Sequence, residues 1–125
     1  MIFGTGLDIV ETARIKDAAR KWGDKFLDRV FTRHELDYSN GKKFIYQHLA
    51  ARFAAKEAFF KAIGDSSISQ IEWCDVEVVN DKFGKPTIRL SGAAKKAVAK
   101  KKISEIIISL SHTKNYAVAN AILIK

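Results

Sequence analysis

The chain has 125 residues and a formal net charge of +8, from 22 Lys and Arg against 14 Asp and Glu. This length predicts a single domain over residues 1–125 with one modest hydrophobic core. An apolar content of 47% excludes a disordered chain. The positive charge concerns partners rather than fold, and nucleic acid, an anionic membrane, a phosphorylated small molecule and an acidic protein are all compatible with it.

Targeting and membrane segments are not expected. The longest apolar runs fall far short of the roughly eighteen residues that a membrane helix needs. No basic segment precedes the first strand pattern, so no signal peptide is predicted. Cys74 is the single cysteine, which excludes an internal disulfide and a cysteine-based metal site. We therefore predict a cytoplasmic protein.

The chain opens with a predicted strand from Ile2 to Val10 whose two faces differ. One face carries Phe3, Leu7 and Ile9, and the other carries Gly4, Gly6 and Asp8. Two glycines in one strand indicate close approach by another backbone or by a ligand. Asp8 lies on the same face as these two glycines, which makes it a candidate functional residue as well as a candidate cap.

Three short helices are predicted after this strand. Thr12 can cap the first, whose inner face carries Ile15, Ala18, Ala19 and Trp22 and whose outer face carries Arg14, Lys16, Arg20 and Lys21. Residues 26–30 predict a second helix. Thr32 and Glu35 have the spacing of a capping box, which predicts the start of a third.

A long central helix is predicted from about residue 43 to Ile63, because Ala, Arg, Lys and Glu dominate it and Gly64 offers a stop. Two apolar arcs run along it, with Leu49, Phe53 and Phe60 in one and Ala51, Ala55, Ala58 and Ala62 in the other. Glu57 and Lys61 lie between the arcs, one turn apart. An ordinary helical pair and a functional pair are both open, because charges rarely lie within apolar surface without a partner or a task.

The second half of the chain is predicted to consist of strands and one helix. The predicted elements are a loop at 65–67, a strand from Ile71 to Val79 that bulges near Cys74, a turn from Asn80 to Pro86, a strand from Thr87 to Leu90, a helix after Ser91 with a solvated lysine face at 95–102, and strands at 103–111 and 116–124. The last strand has an alanine face that matches the alanine arc of the long helix. The predicted fold class is therefore α+β, with a mostly antiparallel sheet packed against a long central helix.

The familiar nucleotide and hydrolase motifs are missing: there is no phosphate loop, no Rossmann fingerprint and no nucleophile elbow. What remains is a scattered set of Asp8, Glu57 and Lys61, with Arg52 and Lys56 near them in sequence. Two carboxylates without another hard ligand suit Mg²⁺, which keeps several waters and completes its shell with substrate phosphate. Together with a lysine one turn from a ligand, this set fits phosphoryl or pyrophosphate chemistry.

Four segments carry a resemblance to a known family. They are Gly4-x-Gly6-x-Asp8-x-Val10-Glu11, Phe31-Thr32-x-x-Glu35, Arg52-Phe53-Ala54-Ala55-Lys56-Glu57-Ala58-x-x-Lys61-Ala62 and Ser111-His112-Thr113. The chain resembles, over its whole length, the holo-acyl-carrier-protein synthases, which are the short bacterial type of 4′-phosphopantetheinyl transferase. Thr5 departs from the Ile that members often carry, and the lysine-rich helix before Ile103 is longer or more basic than expected.

The resemblance implies that phosphopantetheine passes from coenzyme A to a serine hydroxyl of an acidic apo-acyl carrier protein, with release of 3′,5′-ADP. It implies that Asp8 and Glu57 hold Mg²⁺ and that Lys61 stabilises or protonates the leaving phosphate. The base for the serine proton is open between Glu57, Asp8 and a metal-bound water. The implied contacts to coenzyme A are Arg52, Lys42, Lys43, Gly84, Pro86, His112 and Thr113.

The resemblance also implies a homotrimer with sites between subunits, and carrier-protein docking at Arg14, with Arg20 and Lys21 on the same helix. The alternative function is a basic nucleic-acid-binding module without catalysis, which the net charge favours. Exposed aromatics are not interleaved with the basic residues and no nucleic-acid motif is present, so neither nucleic acid nor membrane is an expected partner. Non-functional interpretations stay open for two residues: Arg52 as a surface cation and His112 as an unligated turn histidine.

Overall fold

The computed structural model describes residues 1–64 and 69–125, so the loop predicted at 65–67 lies outside the described residues. In chain order the helices and strands are β1 (Ile2–Glu11), α1 (Thr12–Trp22), α2 (Asp24–Val30), α3 (Arg33–Asn40), α4 (Ile45–Ile63), β2 (Val76–Asn80), β3 (Pro86–Leu90), α5 (Gly92–Lys100), β4 (Glu105–His112) and β5 (Tyr116–Ile124). Among the helices of the described residues, none is both long and apolar enough to cross a membrane.

The strands form two antiparallel sheets. One has the order β1-β5-β4 and the other pairs β2 with β3. Ala119 of β5 is the register partner of Asp8 on one side and of Leu110 on the other. The predicted α+β class with a mostly antiparallel sheet on a long helix is confirmed, with the sheet divided into two parts.

Helix α4 packs closely on one face of the three-stranded sheet through small residues. A Cβ atom at Gly6 would lie 1.9 Å from the carbonyl oxygen of Ala58, and one at Gly4 would lie 2.2 Å from that of Ala62. The alanine face of β5 is buried beneath the same helix, with Ala121 fully inaccessible. The two glycines of β1 are therefore required for this close approach, and the predicted match of the alanine faces is confirmed.

The ends of α4 and α3 follow their sequence signals. Gly64 ends α4 in the left-handed conformation, with φ of 67°. Thr32 and Glu35 form the predicted capping box at the start of α3, since each side chain accepts a hydrogen bond from the other residue's backbone N–H. Local sequence chemistry therefore sets both boundaries.

Some local predictions were wrong. Glu11, not Thr12, lies at the N-cap of α1, and it makes no side-chain cap bond. Trp22, predicted on the inner face of α1, is 54% exposed. The strand predicted from Ile71 begins only at Val76, because residues 73–75 form a 3-10 turn in which the Asp75 carboxylate accepts the Glu72 N–H at 3.1 Å.

The other face of the three-stranded sheet is apolar and open in the single chain. Leu7 and Ile9 of β1 are 64% and 66% exposed, and Ile107 of β4 is also exposed. These side chains alternate with the residues of β1 and β4 that face α4, as strand geometry requires. An apolar face of this kind typically marks an interaction surface.

Candidate active site

Strand β1 and helix α4 bring the predicted catalytic residues together. The Lys61 ammonium lies 3.1 Å from Oδ1 of Asp8 and donates a 2.9 Å hydrogen bond to the carbonyl oxygen of Leu7. Glu57 lies one turn before Lys61 on the same helix. Burial, and next the negative charge of Asp8, raise the pKa of Glu57, while Lys61 and Arg14 oppose the rise. These contacts bring Asp8, Glu57 and Lys61 into one cluster, which we call the metal cluster after the Mg²⁺ that the sequence resemblance implies for it.

The donor set of this cluster fits a divalent cation. The Asp8 carboxylate is close enough to Glu57 to raise its pKa, so the two carboxylates repel each other. A cation between them would remove that repulsion. Across the described residues there is no group of three or more His, Cys, Asp or Glu that could hold a metal. An ion bound here would therefore have two protein ligands and take the rest from water or substrate oxygens, as Mg²⁺ commonly does.

Arg14 lies in the first turn of α1, beside this cluster. Its guanidinium lies 6.0 Å from the centroid of the Phe53 ring, and its charge acts on Glu57. Arg20 and Lys21 lie in the last turn of the same helix and are exposed. The predicted docking residues therefore extend outward from the metal cluster along α1.

A second cluster surrounds Arg52, which is only 3% exposed. Its guanidinium donates a 2.7 Å hydrogen bond to Oδ1 of Asn80 and lies 4.1 Å from the centroid of the Tyr38 ring. Its buried Nε has no hydrogen-bond partner within the described part of the chain. The surface-cation alternative for Arg52 is therefore wrong.

Arg52 lines a cavity of about 200 Å³, which we call the nucleotide cavity after the ligand that the sequence resemblance implies for it. Its wall consists of Tyr38, His48, Ala51, Arg52, Asn80, Gly84, Pro86, Leu110 and His112. Four of the residues predicted to contact coenzyme A are in that wall: Arg52, Gly84, Pro86 and His112. They come from three different parts of the chain, so the fold brings together what the sequence separates.

The nucleotide cavity is electrostatically suited to an anion. The ring centroids of His48 and His112 are 5.2 Å apart. Burial, followed by the charges of His112, Arg52 and Lys42, lowers the pKa of His48. The part of this lowering that comes from the neighbouring charges indicates a locally positive potential, which a bound phosphate would neutralise.

Three of the predicted coenzyme A contacts, Lys42, Lys43 and Thr113, are not in the wall of this cavity. The Lys42 ammonium is 4.6 Å from the centroid of the Tyr38 ring, so it is adjacent to the cavity. Lys43 lies over the ring of Phe44, at 5.5 Å. Thr113 is in the β4–β5 turn, where its N–H donates to the Tyr116 carbonyl at 2.8 Å. Lys43 and Thr113 are thus not in the wall of this cavity.

Sequence reasoning missed the buried ion pair behind the cavity. Lys56 and Glu35 are both inaccessible, and their charged groups are 2.7 Å apart. Lys56 also donates to the carbonyl oxygens of Val30 and Trp73, at 2.7 and 3.2 Å. The second oxygen of Glu35 accepts the Val78 N–H at 2.8 Å. The capping-box spacing identified Glu35, but no sequence signal predicted the burial of Lys56.

The two clusters lie on different sides of α4. Arg52 and Glu57 are five positions apart, which corresponds to about 140° around a helix. Asp8 of β1 lies beside Glu57 and Lys61, whereas His112 at the end of β4 shares the nucleotide cavity with Arg52. Helix α4 therefore separates the metal cluster from the nucleotide cavity within one chain.

The sequence and the fold of this chain match those of a known family. A sequence model of the 4′-phosphopantetheinyl transferase superfamily matches residues 4–121, and the chain belongs to that superfamily. Among its relatives, the holo-[acyl-carrier-protein] synthase of Geobacter metallireducens is 47% identical over 98% of each chain.

Solved structures agree with this assignment. The crystal structure of holo-[acyl-carrier-protein] synthase from Neisseria meningitidis is similar over 100% of both chains, with a TM-score of 0.89 and 32% identity. The Bacillus anthracis holo-(acyl-carrier-protein) synthase, solved in complex with CoA (3′,5′-ADP), has a TM-score of 0.79 and 36% identity and covers 98% of this chain and 96% of its own. The resemblance noted in the sequence is therefore confirmed.

Proposed function

We propose that this chain transfers 4′-phosphopantetheine from coenzyme A to a serine of apo-acyl carrier protein, giving holo-acyl carrier protein and 3′,5′-ADP. The observation that carries the proposal is the convergence of Asp8, Glu57 and Lys61 from β1 and α4 into one cluster. The relative from Bacillus anthracis was solved with CoA (3′,5′-ADP) bound, which supports the nature of the donor. Residues 1–125 act as one domain, and the single cysteine is typical of a cytoplasmic protein.

The residues of the metal cluster have separate roles in this reaction. Asp8 and Glu57 would hold Mg²⁺, which would supply positive charge to the pyrophosphate of the donor. The serine oxygen forms a bond to the β-phosphorus of coenzyme A, and the bond from that phosphorus to the oxygen bridging to 3′,5′-ADP breaks. Lys61 neutralises or protonates the departing phosphate, and the serine proton is accepted within the cluster.

The nucleotide cavity takes the other end of coenzyme A. Arg52, Lys42 and His112 receive its phosphates, with positive charge from Arg52 and Lys42, and the hairpin residues Gly84 and Pro86 line the adenosine. Lys43 and Thr113, which are not in the wall of the cavity, contact the same ligand once it is bound. The buried Nε of Arg52 has no partner among residues 1–64 and 69–125, which supports an anionic occupant, because an unmet buried donor is costly.

The active unit is a homotrimer in which each site lies between two copies. Two observations support this arrangement: the open apolar face of the sheet around Leu7 and Ile9, and the separation of the two clusters by α4. A coenzyme A molecule held by the nucleotide cavity of one copy would then present its pyrophosphate to the metal cluster of the next. The oligomeric state can be measured by light scattering coupled to size-exclusion chromatography.

The experiment that tests the transfer uses the purified protein, an apo-acyl carrier protein, coenzyme A and Mg²⁺, followed by mass spectrometry of the carrier protein. We expect the mass to increase by one phosphopantetheine group, and omission of Mg²⁺ with added chelator to prevent the change. No mass increase under any metal condition would contradict the proposed function. Tight binding of an unrelated polyanion, with steep salt dependence and no product, would instead favour the nucleic-acid-binding alternative.

Sharing of the site between copies can be tested by mixing two inactive variants. Glu57→Gln disables the metal cluster, and Arg52→Gln disables the nucleotide cavity. After denaturation, mixing and refolding, about a quarter of the original activity should return, since one site in four then combines two intact halves. Each variant refolded alone should stay inactive, and no recovery in the mixture would show that both halves must belong to one chain.

A further inference from the structure

The side chain of Asn80 connects two walls of the nucleotide cavity. Its Oδ1 accepts a 2.7 Å hydrogen bond from the Arg52 guanidinium on α4, and its Nδ2 donates a 3.0 Å hydrogen bond to the carbonyl oxygen of Gly84 in the β2–β3 turn. Asn80 and both of these partners line the cavity. Because a guanidinium can only donate, the amide oxygen must face Arg52 and the amide nitrogen must face Gly84. One planar amide, which we call the Asn80 bridge, therefore joins the α4 wall to the hairpin wall.

The hairpin turn that carries Gly84 has little other support. Residues 81–85 are all exposed, and the Phe83 side chain is 83% exposed, so apolar packing contributes little to holding this turn. The Asp81 N–H donates to the Lys85 carbonyl at 2.8 Å, and the Gly84 N–H donates to the Asp81 carbonyl at 2.9 Å. These bonds close the turn on itself, but they do not tie it to α4. The Asn80 bridge supplies that connection.

Asn80 lies where the strand pairing of the hairpin stops. Its register partner in β3 is Pro86, which has no N–H to donate across the pair. Two residues earlier, the Val78 N–H donates to the buried Glu35 carboxylate at 2.8 Å, so this part of β2 is fixed to α3. The Asn80 side chain thus connects a firmly held part of the strand to an exposed turn.

We propose that Asn80 is a positioning residue whose amide holds the hairpin turn against Arg52, so that the hairpin wall of the nucleotide cavity is formed before coenzyme A binds. The inference rests on the proposed function, because it states how the site for that donor is kept ready. Asparagine suits this role, since its short side chain carries an acceptor and a donor group on one rigid plane. Without the bridge, coenzyme A has to order the turn as it binds, and this ordering costs affinity.

Amide hydrogen exchange in the free protein tests the bridge directly. The N–H groups of residues 83–85 all donate to Asp81, so they exchange when the turn opens. Asn80→Leu removes both bonds of the bridge, whereas Asn80→Asp keeps the acceptor for Arg52 and loses the donor to Gly84. We expect these three amides to exchange at least about fivefold faster in both variants. Addition of 3′,5′-ADP should slow their exchange more in Asn80→Leu than in the unsubstituted protein, because the ligand then orders the turn.

Steady-state kinetics measures the consequence for the reaction. Asn80→Leu should raise the KM for coenzyme A about tenfold. The kcat at saturating coenzyme A should stay within about threefold and the KM for the carrier protein within about twofold, because the metal cluster and the docking helix are unchanged. Thr87→Val is the matched control, since it removes the exposed 3.1 Å hydrogen bond from Thr87 to the Val79 carbonyl of the same hairpin. This control should change neither the exchange of residues 83–85 nor the KM for coenzyme A.

Several outcomes would overturn the inference. They are unchanged exchange of residues 83–85 in either Asn80 variant, an unchanged KM for coenzyme A in Asn80→Leu, and an equally large KM increase in Thr87→Val. Failure of the proposed function has a different signature, because the unsubstituted protein would then transfer nothing to a carrier protein. Amide exchange in the free protein needs no donor, so it still reports whether the Asn80 bridge holds the turn.

Discussion

The Lys61 ammonium and the Asp8 carboxylate are joined by a 3.1 Å ion pair across the contact between α4 and β1. The Lys61 side chain is half-exposed, whereas that of Asp8 is largely buried. Because the Lys61 ammonium is accessible to solvent, this ion pair contributes only modestly to stability, which is a weak reason for placing a lysine here. Its position beside the proposed metal ligands is better explained by a charge that acts on the substrate.

Lys61→Met tests this role, because methionine keeps most of the side-chain stem and removes the ammonium. We expect kcat to fall by at least about 100-fold with a much smaller change in coenzyme A affinity, since the charge acts on the departing phosphate. Steady-state kinetics and calorimetric binding of coenzyme A measure the two effects. Normal kcat with a lowered melting temperature would instead identify Lys61 as a structural partner of Asp8.

Glu57→Gln should remove most activity without harming the fold. The substitution keeps the size of the side chain and takes one negative charge from the metal cluster, so we expect turnover to fall by at least about 100-fold. Asp8→Asn should behave in the same way. Near-normal turnover of both variants at ordinary Mg²⁺ concentration would exclude the proposed metal site.

The raised pKa of Glu57 predicts a distinctive pH dependence. Protons compete with Mg²⁺ for this carboxylate, so the Mg²⁺ concentration for half-maximal activity should rise as the pH falls. This rise should begin at a pH above 4.5, which is the usual pKa of a glutamate. In the metal-free protein, a folded-state pKa above the unfolded value means that ionised Glu57 lowers stability. Glu57→Gln should therefore raise the melting temperature at neutral pH. The difference should vanish as pH falls below 4.5, and a lower melting temperature at neutral pH would contradict the assignment.

Short-range patterns in the sequence predicted much of the fold and one of the two clusters. The alternation of Gly4, Gly6 and Asp8 and the one-turn spacing of Glu57 and Lys61 are local features, and packing β1 on α4 was enough to bring them together. The nucleotide cavity depends on contacts of longer range: Arg52 meets Asn80 across 28 positions. Helical periodicity treats every cation as a solvent-facing residue, so it could not predict that Arg52 would be buried.

Lys56 is the clearest example of a buried cation that helical periodicity could not predict, and its burial has a measurable consequence. Lys56→Met would leave the Glu35 carboxylate inaccessible and without its counter-charge, which typically costs about 3–5 kcal/mol. Chemical denaturation should show a loss of this size, whereas Lys95→Met on exposed α5 should change stability by less than about 0.5 kcal/mol. A loss below about 1 kcal/mol for Lys56→Met would mean that the ion pair is not needed to hold α3 on α4.

Carrier-protein docking should depend on Arg14 more than on the lysine-rich end of α5. Arg14 lies beside Glu57 and Phe53 at the metal cluster, so an acidic carrier protein that presents its serine there meets this side chain. Arg14→Glu replaces attraction with repulsion. We expect a KM for the carrier protein at least about tenfold higher and a weaker response to added salt, because charges at the rim of an interface chiefly change the association rate.

The KM for coenzyme A should remain unchanged in Arg14→Glu, since the nucleotide cavity lies on another side of α4. The comparison variant Lys96→Glu/Lys100→Glu removes two exposed lysines from α5 and changes the net charge of the protein by twice as much. If docking depended on net charge alone, this double variant would raise the KM for the carrier protein more than Arg14→Glu does. That ranking would exclude α1 as the docking helix, because it would leave no special role for a cation next to the metal cluster.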